Sequence, residues 1–329
     1  MSGKILISPI FKNDGFASAT RSSGLEALGK LADVVPYTQT EFGAADAAGV
    51  VAVLANSAWF SGEFYEAATD LRIVSRWGVG FDQVNHEAAT ANGVIVTVAP
   101  AHMDTVAEYA ITQWLATLKR VYTLNRIAHE GDASIIRTYD AQGSTLGLYG
   151  FGRIGQQVAL RAVPLLGDQG RLLVYDVRPD INDLAAEFGA EAVDDPQQLF
   201  RECDTISLHV AGDDVIVTYE QLAAMQPHAS LINPSRGNLA NDADVLRAVE
   251  EGRLYSYVVD DPVSGPRMCH QGHPRIICTN HNGGITAQSV ERLDRMTFQQ
   301  VTDAIEGRQP EHMLNSAVLE HPRVRGFLS

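Results

Sequence analysis

The sequence predicts an α/β fold with two doubly wound parallel sheets, one in each of two domains. Short apolar runs alternate with helical stretches from residue 4 to residue 99, and the same alternation returns from residue 144 to about residue 282. A chain of 329 residues also exceeds the size at which one hydrophobic core keeps growing. Two domains are therefore expected.

The first alternating stretch supplies five predicted strands. They are the runs ILIS, VVPY, VVAVLA, RIVSRWG and VIVTVAP. No glycine-rich phosphate turn occurs among them, so this half is α/β without being an obvious nucleotide domain. Pro100 then interrupts the chain before a long predicted helix over residues 103–122, a natural crossing between domains.

Residues 144–176 predict a dinucleotide-binding unit. An apolar run leads into the turn GFGRIG at residues 150–155, a helical pattern follows, and a second apolar run ends on an acid. In this order of strand, turn, helix and strand, Gly150 makes the tight turn and Gly152 lets the backbone approach a pyrophosphate. Gly155 lets the helix pack on the strand.

Asp176 predicts NAD as the cofactor. It lies 176 − 155 = 21 residues after the last glycine of the turn, at the end of the second strand. A carboxylate there can accept hydrogen bonds from both ribose hydroxyls and would repel a 2′-phosphate. The helix start, at Arg153 and Ile154, supplies N–H groups for the phosphates. Arg178 is the one nearby residue expected to weaken the preference for NAD over NADP.

Composition opposes several other classes of partner. The net charge of −15 and the pI near 5.0 disfavour nucleic acid and anionic membranes, which require basic patches. The apolar stretches are too short to span a bilayer and the start lacks a signal pattern, so we expect a cytoplasmic protein. The cysteines, odd in number, fit reduced thiols: Cys203, Cys269 and Cys278.

One segment suggests a metal site. Residues 268–273 read MCHQGH, and Cys278 follows closely. The spacing lacks a second matched pair of ligands, which a zinc site would need. We therefore predict no metal.

Six motifs in one order resemble the D-isomer-specific 2-hydroxyacid dehydrogenases. They are GVGFDQVN (78–85), VAEYAITQWLATLKR (106–120), GLYGFGRIGQQVA (147–159), DTISLHV (204–210), LINPSRGNLANDADVL (231–246) and TNHNGGIT (279–286). The resemblance implies a Rossmann NAD-binding domain and a discontinuous, flavodoxin-like substrate domain. Their expected ranges are 101–285 for the former and 1–100 with 286–329 for the latter.

The resemblance also implies the reaction and its residues. The family transfers a hydride between a nicotinamide cofactor and C2 of a small 2-keto or 2-hydroxy acid. Arg236 matches the arginine that grips the substrate carboxylate and oxygen, a task suited to a planar guanidinium. His281 matches the acid/base, and Gly78, Val79 and Gly80 match the loop whose N–H groups bind the carboxylate. The segment 103–122 resembles the family's dimer-forming region, so a homodimer is expected.

Further site residues follow from the same matches. Asp260 corresponds to an aspartate near the nicotinamide carboxamide, and His209 and Pro234 would line the cofactor site. In the first domain, substrate contacts are expected from side chains in the loops after its strands: Asn56, Trp59 and Arg76.

The sequence departs from the family pattern at Gly265. Family members usually carry a glutamate there whose carboxylate hydrogen-bonds the catalytic histidine, and without it His281 should lose its proton at a lower pH. Asp261 could substitute if the loop folds differently, although an acid beside a strand end more often faces solvent. In addition, TNH replaces TPH, and Asn85 stands where an aspartate is usual.

Two alternatives to dehydrogenase activity follow from this departure. One is an NAD-binding protein without turnover that acts as a sensor or interaction protein. The other keeps the cofactor for an internal cycle of oxidation and re-reduction.

Overall fold

The computed structural model describes residues 3–81, 83–212 and 214–328. The chain divides into two compact units, Met1–His102 with Ile285–Ser329, and Met103–Gly284. The sequence-based boundaries were placed after residues 100 and 285. Within the described ranges, no helix combines the length and the apolar character that crossing a membrane requires.

The elements of the first unit up to residue 102 are, in chain order, β1 (Lys4–Ile7), α1 (Ala19–Gly29), β2 (Asp33–Pro36), β3 (Glu41–Phe42), β4 (Val50–Ala55), β5 (Trp59–Phe60), α2 (Gly62–Ala67), β6 (Ile73–Arg76), α3 (His86–Ala91) and β7 (Ile95–Val98).

The second unit contains α4 (Met103–Leu118), α5 (Val121–His129), β8 (Thr145–Tyr149), α6 (Arg153–Leu166), β9 (Arg171–Tyr175), α7 (Ile181–Glu187), β10 (Glu191–Ala192), α8 (Pro196–Glu202), β11 (Thr205–Leu208), α9 (Tyr219–Ala224), β12 (Ser230–Asn233), α10 (Asp242–Glu250), β13 (Ser256–Val259) and β14 (Ile276–Cys278). The chain then returns to the first unit with α11 (Ala287–Ile305) and α12 (Pro322–Arg325).

The sheet of the first unit has the strand order β2-β1-β4-β6-β7, and all its strand pairs are parallel. In order of appearance this is 2-1-3-4-5, the flavodoxin-like arrangement. Alternate side chains of the strands enter two separate cores because the side-chain period of a strand is two. Ile5 and Leu54 pack with α11, while Val53 and Val74 face the side covered by Phe64.

The sheet of the second unit has the order β10-β9-β8-β11-β12-β13-β14, again with parallel pairs only. In order of appearance this is 3-2-1-4-5-6-7, the Rossmann order with one further strand. The central strands β11, β12 and β13 are buried along their whole length, as expected for a parallel sheet covered on both faces. The predicted fold class is confirmed. The two-residue strands β3, β5 and β10 were not predicted, because two residues cannot display an alternating pattern.

The prediction of one helix over residues 103–122 was wrong. α4 ends at Leu118, Arg120 adopts a left-handed conformation (φ 50°), and α5 begins at Val121. A left-handed residue cannot continue a right-handed helix. The Arg120 guanidinium lies over the Tyr255 ring, 4.2 Å from its centroid, so the break accompanies a contact with a residue far away in the sequence.

A buried ion pair joins the two longest helices of the first unit. Arg21 on α1 donates from Nε and Nη2 to the two carboxylate oxygens of Asp294 on α11, each at 2.8 Å. Trp77, which follows β6, donates from its indole Nε1 to Asp294 Oδ1, also at 2.8 Å. Both charged side chains are at least 95% buried. One carboxylate therefore connects α1, α11 and the chain segment that enters Gly78.

Asp294→Asn is expected to lower the free energy of unfolding by about 3–5 kcal/mol, because it leaves the buried Arg21 charge without its counter-charge. Urea unfolding followed by circular dichroism measures this loss. Glu26→Gln is the control, since Glu26 and Lys30 form an ion pair with both side chains over 70% exposed and such pairs contribute about 0.5 kcal/mol or less. Equal losses in the two variants would contradict the structural importance of the Asp294 contact.

Candidate active site

The glycine turn after β8 contains glycines of two kinds. Gly150 has φ +100°, and a Cβ there would lie 2.6 Å from the carbonyl oxygen of His209. A Cβ on Gly155 would lie 2.5 Å from the carbonyl oxygen of Gly150. At Gly152, by contrast, a Cβ would meet nothing within 4 Å, although this residue caps the N-terminus of α6. The packing of the turn thus requires two of the glycines, while Gly152 faces open space.

Asp176 lies directly after β9 and beside this turn. Its Oδ2 accepts a hydrogen bond from the Phe151 N–H at 2.6 Å, and its Oδ1 accepts from the Arg178 N–H at 3.1 Å. A carboxylate has about four acceptor positions, so these two bonds leave capacity for further donors. The Arg178 guanidinium forms a two-point ion pair with Asp180, at 2.5 and 2.8 Å.

These features fit a dinucleotide. The open space at Gly152 adjoins the start of α6, where Arg153 and Ile154 occupy the first helical positions, whose N–H groups have no partner within a helix. The turn follows β8, whose neighbours in the sheet are β9 and β11. The strand order changes direction between β8 and β11, and ligands of such sheets bind at this point. His209 and Pro234 follow β11 and β12 at the same edge.

His209 is neutral at this edge. Burial lowers its pKa to about 3. Its Nε2 is buried and has no hydrogen-bond partner among the described parts of the chain.

His281 and Asp261 lie close together in the second unit. The ring Nδ1 of His281 lies 3.2 Å from the carbonyl oxygen of Asp260 and 3.5 Å from Asp261 Oδ1. Because both neighbours are acceptors, the geometry assigns a hydrogen to Nδ1 and leaves Nε2 to exchange a proton with another molecule. The His281 side chain is 55% exposed, whereas that of Asp261 is 20% exposed. Asp261 therefore does not face solvent in the manner expected of an acid beside a strand end.

Asp260 holds the loop that carries His281. Its Oδ1 accepts from the Asn282 N–H at 2.8 Å and from the Thr279 hydroxyl at 2.5 Å, and its Oδ2 accepts from the Gly283 N–H at 2.7 Å. The resemblance to the family implies a position near the nicotinamide carboxamide, and the partners of this carboxylate within the chain belong to the loop.

A tyrosine on α4 extends this arrangement. The Tyr109 hydroxyl lies 2.7 Å from Thr279 Oγ1, and burial raises the pKa of Tyr109. Tyr109 was not identified from the sequence as a site residue, because nothing in its spacing points to the loop after β14.

The second oxygen of Asp261 has two further partners. Oδ2 accepts from the Gly237 N–H at 2.9 Å and lies 3.1 Å from Nη2 of Arg267. Burial raises the pKa of Asp261, but hydrogen bonds from His281 and Gly237 and the Arg267 charge outweigh it and hold this pKa below its usual value. The carboxylate is therefore ionised across the physiological range. Arg236, adjacent to Gly237, donates from Nη1 to the Ser235 carbonyl at 2.9 Å.

Gly265 has a conformational reason to be glycine. It has φ +55° at the start of a short 3-10 helix, Gly265–His270, and is exposed. A Cβ there would meet no atom within 4 Å, so the constraint on this position comes from the backbone conformation. A glutamate there would cost roughly 1–2 kcal/mol in left-handed backbone strain.

The side chains predicted to bind substrate in the first unit belong to three places: Asn56 follows β4, Trp59 begins β5 and Arg76 ends β6. Arg76 donates from Nη1 to Asn56 Oδ1 at 2.8 Å and also to the Trp77 carbonyl. Gly78 has φ +124°, and a Cβ there would lie 3.5 Å from Arg76 Nη1 and 3.6 Å from His102 Cε1. This places a guanidinium and an imidazole beside the first residue of the predicted carboxylate loop.

The rest of that loop is less informative. Val79 and Gly80 are half-buried, and Trp59 is 41% exposed. Asp82, within the GVGFDQVN motif, lies outside the described residues. Asn85 caps α3 by accepting a hydrogen bond from the Ala88 N–H at 3.1 Å, a role that asparagine and aspartate share.

The segment considered for metal binding is mostly exposed, with one buried histidine. His270 is buried, and its Nε2 lies 2.9 Å from the Asp242 carbonyl oxygen. Among the described residues, no three or more His, Cys, Asp or Glu side chains are grouped so that they could hold a metal ion. Cys203, Cys269 and Cys278 are free thiols.

Comparison with known proteins identifies the family. Residues 111–283 match the model of the D-isomer specific 2-hydroxyacid dehydrogenase, NAD binding domain. A D-3-phosphoglycerate dehydrogenase of Methanocaldococcus jannaschii is 31% identical over 262 residues, 76% of this chain and 48% of that protein. The chain thus spans about half the length of this relative. A glyoxylate reductase of Korarchaeum cryptofilum is 30% identical over 275 residues, 78% of this chain and 80% of that protein.

Solved structures agree at the level of the fold. A glyoxylate reductase from Paecilomyes thermophila superimposes with a TM-score of 0.77 at 22% identity, covering 95% of this chain and 98% of the other. The family model describes an NAD-binding domain and so confirms NAD as the cofactor. Given this match across more than half of its length, the chain belongs to the D-isomer specific 2-hydroxyacid dehydrogenases, a family of NAD-dependent oxidoreductases.

Proposed function

We propose that the protein exchanges a hydride between NAD and C2 of a small 2-keto or 2-hydroxy acid of D configuration. The observation that carries this proposal is the placement of an ionised carboxylate, Asp261, 3.5 Å from the ring Nδ1 of His281. The glycine turn lies at one edge of the sheet. At the same edge, this pair provides a group that can donate and accept a proton. NAD, when bound, supplies or accepts the hydride.

The cofactor site follows from the glycine turn. The N–H groups at Arg153 and Ile154 bind the phosphates, and the open space at Gly152 admits them. The remaining acceptor capacity of Asp176 binds the ribose hydroxyls. Because Arg178 is paired with Asp180, its charge is already partly neutralised, which supports a preference for NAD over NADP.

The acid/base step belongs to His281. In the reduction, Nε2 donates its proton to the C2 oxygen as the carbonyl becomes an alkoxide. In the oxidation, Nε2 accepts the proton of the substrate hydroxyl. The Asp261 carboxylate stabilises the protonated ring and, through Nδ1, fixes its orientation. Asp261 therefore takes the role of the glutamate that the family usually carries at the position of Gly265.

Candidate substrate-binding residues occur in each unit. In the second unit, Arg236 holds the carboxylate and polarises the reacting carbonyl, since a guanidinium offers two parallel donors. In the first unit, the N–H groups of Gly78, Val79 and Gly80 are the carboxylate donors that the resemblance to the family implies. Side chains of the first unit contact the remainder of the substrate: Asn56, Trp59 and Arg76. The names of relatives support glyoxylate and similar short acids, and the resemblance of segment 103–122 supports a homodimer. A cytoplasmic location remains the expectation from the sequence.

Both alternatives to dehydrogenase activity follow from the missing glutamate. A sensor or interaction protein, or an internal redox cycle, becomes attractive when the histidine has no acidic partner. With Asp261 beside His281, that reason is weakened, and no other contact in the described residues favours either alternative.

Gly152→Ala is expected to weaken NADH binding at least about tenfold, roughly 1.4 kcal/mol, while changing the free energy of unfolding by about 1 kcal/mol or less. Fluorescence titration with NADH measures the first effect and urea unfolding the second. Gly150→Ala should instead lower the free energy of unfolding more than it weakens NADH binding, because its side chain would clash with the His209 backbone. A Gly152→Ala protein that binds NADH normally would contradict the proposed phosphate site.

Consumption of NADH with a panel of short 2-keto acids, glyoxylate included, tests the activity. His281→Ala is expected to lower kcat by about 10²–10⁴-fold, the usual contribution of a general acid. Arg236→Ala should lower kcat/KM and raise KM. The matched controls His129→Ala and Arg253→Ala alter exposed side chains of the same unit and should change the rates less than twofold. NADH binding without turnover of any acid would support the sensor, and NAD released only on denaturation would support the internal cycle.

Asp261→Asn is expected to move the pH profile of keto-acid reduction. The reduction needs a protonated ring, so its rate falls as pH rises, and loss of the neighbouring negative charge should shift this fall to lower pH. Because the pKa of Asp261 is below its usual value, the carboxylate itself does not titrate between pH 5 and 8. Asp183→Asn, an exposed acid on α7, is the control. An unchanged profile in Asp261→Asn would remove Asp261 from the proposal.

A further inference from the structure

We propose that Arg267 is a positioning residue for the acid/base pair. Its guanidinium holds the Asp261 carboxylate so that one carboxylate oxygen faces His281. This inference rests on the proposed function, in which His281 transfers the proton. Nothing in the sequence singled out Arg267, and no comparison assigns it a role.

The two oxygens of Asp261 have separate partners. Oδ2 receives the Gly237 N–H at 2.9 Å and lies 3.1 Å from Nη2 of Arg267, while Oδ1 lies 3.5 Å from His281 Nδ1. A carboxylate held by two donors on one oxygen cannot rotate freely about its χ2 angle. The guanidinium and the Gly237 N–H together therefore determine which oxygen is presented to the ring.

Arg267 is itself held in place. Its Nε donates to the Pro262 carbonyl at 3.2 Å, its Nη1 lies 3.7 Å from Asp242 Oδ2, and its side chain is 13% exposed. A single guanidinium thus lies between two carboxylates, an arrangement that a planar fork of donors suits better than a lysine ammonium. A Cβ on Gly237 would lie 1.9 Å from Arg267 Nη1, so the guanidinium occupies the space that the missing side chain leaves.

The loop between Asp261 and Arg267 makes this contact possible. The left-handed conformation of Gly265 turns the chain, and the Arg267 N–H donates to the Ser264 carbonyl at 3.1 Å. The arginine side chain returns to the carboxylate six positions earlier in the sequence. Gly265 and Arg267 therefore belong to one local arrangement that supports Asp261.

Several charged or titratable groups of the second unit surround His281. Asp261 faces its ring directly, and Asp260 binds its loop. Arg267 reaches it through Asp261, Asp242 lies behind Arg267, and Tyr109 on α4 contacts Thr279 of the same loop. Of these groups, Arg267 is the one that bonds both to Asp261 and to the backbone beside it.

The test measures the coupling between Asp261 and His281 in the cofactor-free protein. NMR titration of the His281 ring gives its midpoint with and without Asp261→Asn, first in the natural sequence and then in Arg267→Met. The direct interaction of two charges depends on their separation and surroundings and not on a third charge. If Arg267 positions Asp261, the shift caused by Asp261→Asn should be less than half as large in Arg267→Met as in the natural sequence.

Arg275→Met is the control. Arg275 also lies between β13 and β14, but it donates to the Val249 carbonyl and not to Asp261. In this variant, Asp261→Asn should cause the full shift. If Arg267→Met does not fold, Arg267→Lys carries the test: it retains the charge but cannot bond Asp261 and Pro262 together, so the same reduction is expected. A full shift in the Arg267 variant, or no shift on Asp261→Asn alone, would overturn the proposal. The measurement requires no turnover, so a failure of the proposed function would appear separately, in the rates of His281→Ala.

Discussion

The parallel direction of all strands in the second sheet is the constraint on which the candidate site depends. Each strand of a parallel sheet ends at the same edge, so residues that are distant in sequence meet there. Gly150 follows β8, Asp176 follows β9, His209 follows β11, Arg236 lies shortly after β12, and Asp261 lies shortly after β13. No single loop carries the chemistry. The sheet brings the functional groups together at one edge, and each loop contributes one or two of them.

The elements that could be predicted are those with a local signal. The glycine turn combines a positive-φ residue and a close helix contact, which both require glycine, with an open position between them at a defined spacing. The strands were predictable because their apolar runs are continuous, as buried parallel strands must be. The end of α4 was not predictable, because Arg120 adopts its left-handed conformation beside Tyr255, a residue with no visible relation to it in the sequence.

The acid/base pair shows the same limit more sharply. His281 could be found from its motif, and Asp261 could be named as a candidate acid, but its orientation depends on Gly237 and Arg267. Arginine at position 267 has no periodicity or spacing that reveals a role. Its role emerges only when the loop is folded, because the guanidinium then lies over a glycine from a different turn.

The left-handed backbone at Gly265 has a consequence for how this loop can change by mutation. A single substitution to glutamate would combine backbone strain with a new negative charge on a loop that already presents Asp261, while leaving Arg267 in place between its carboxylates. A protein with this one substitution would therefore be less stable than the present one. The loop is expected to accept a glutamate at this position only together with changes elsewhere in it.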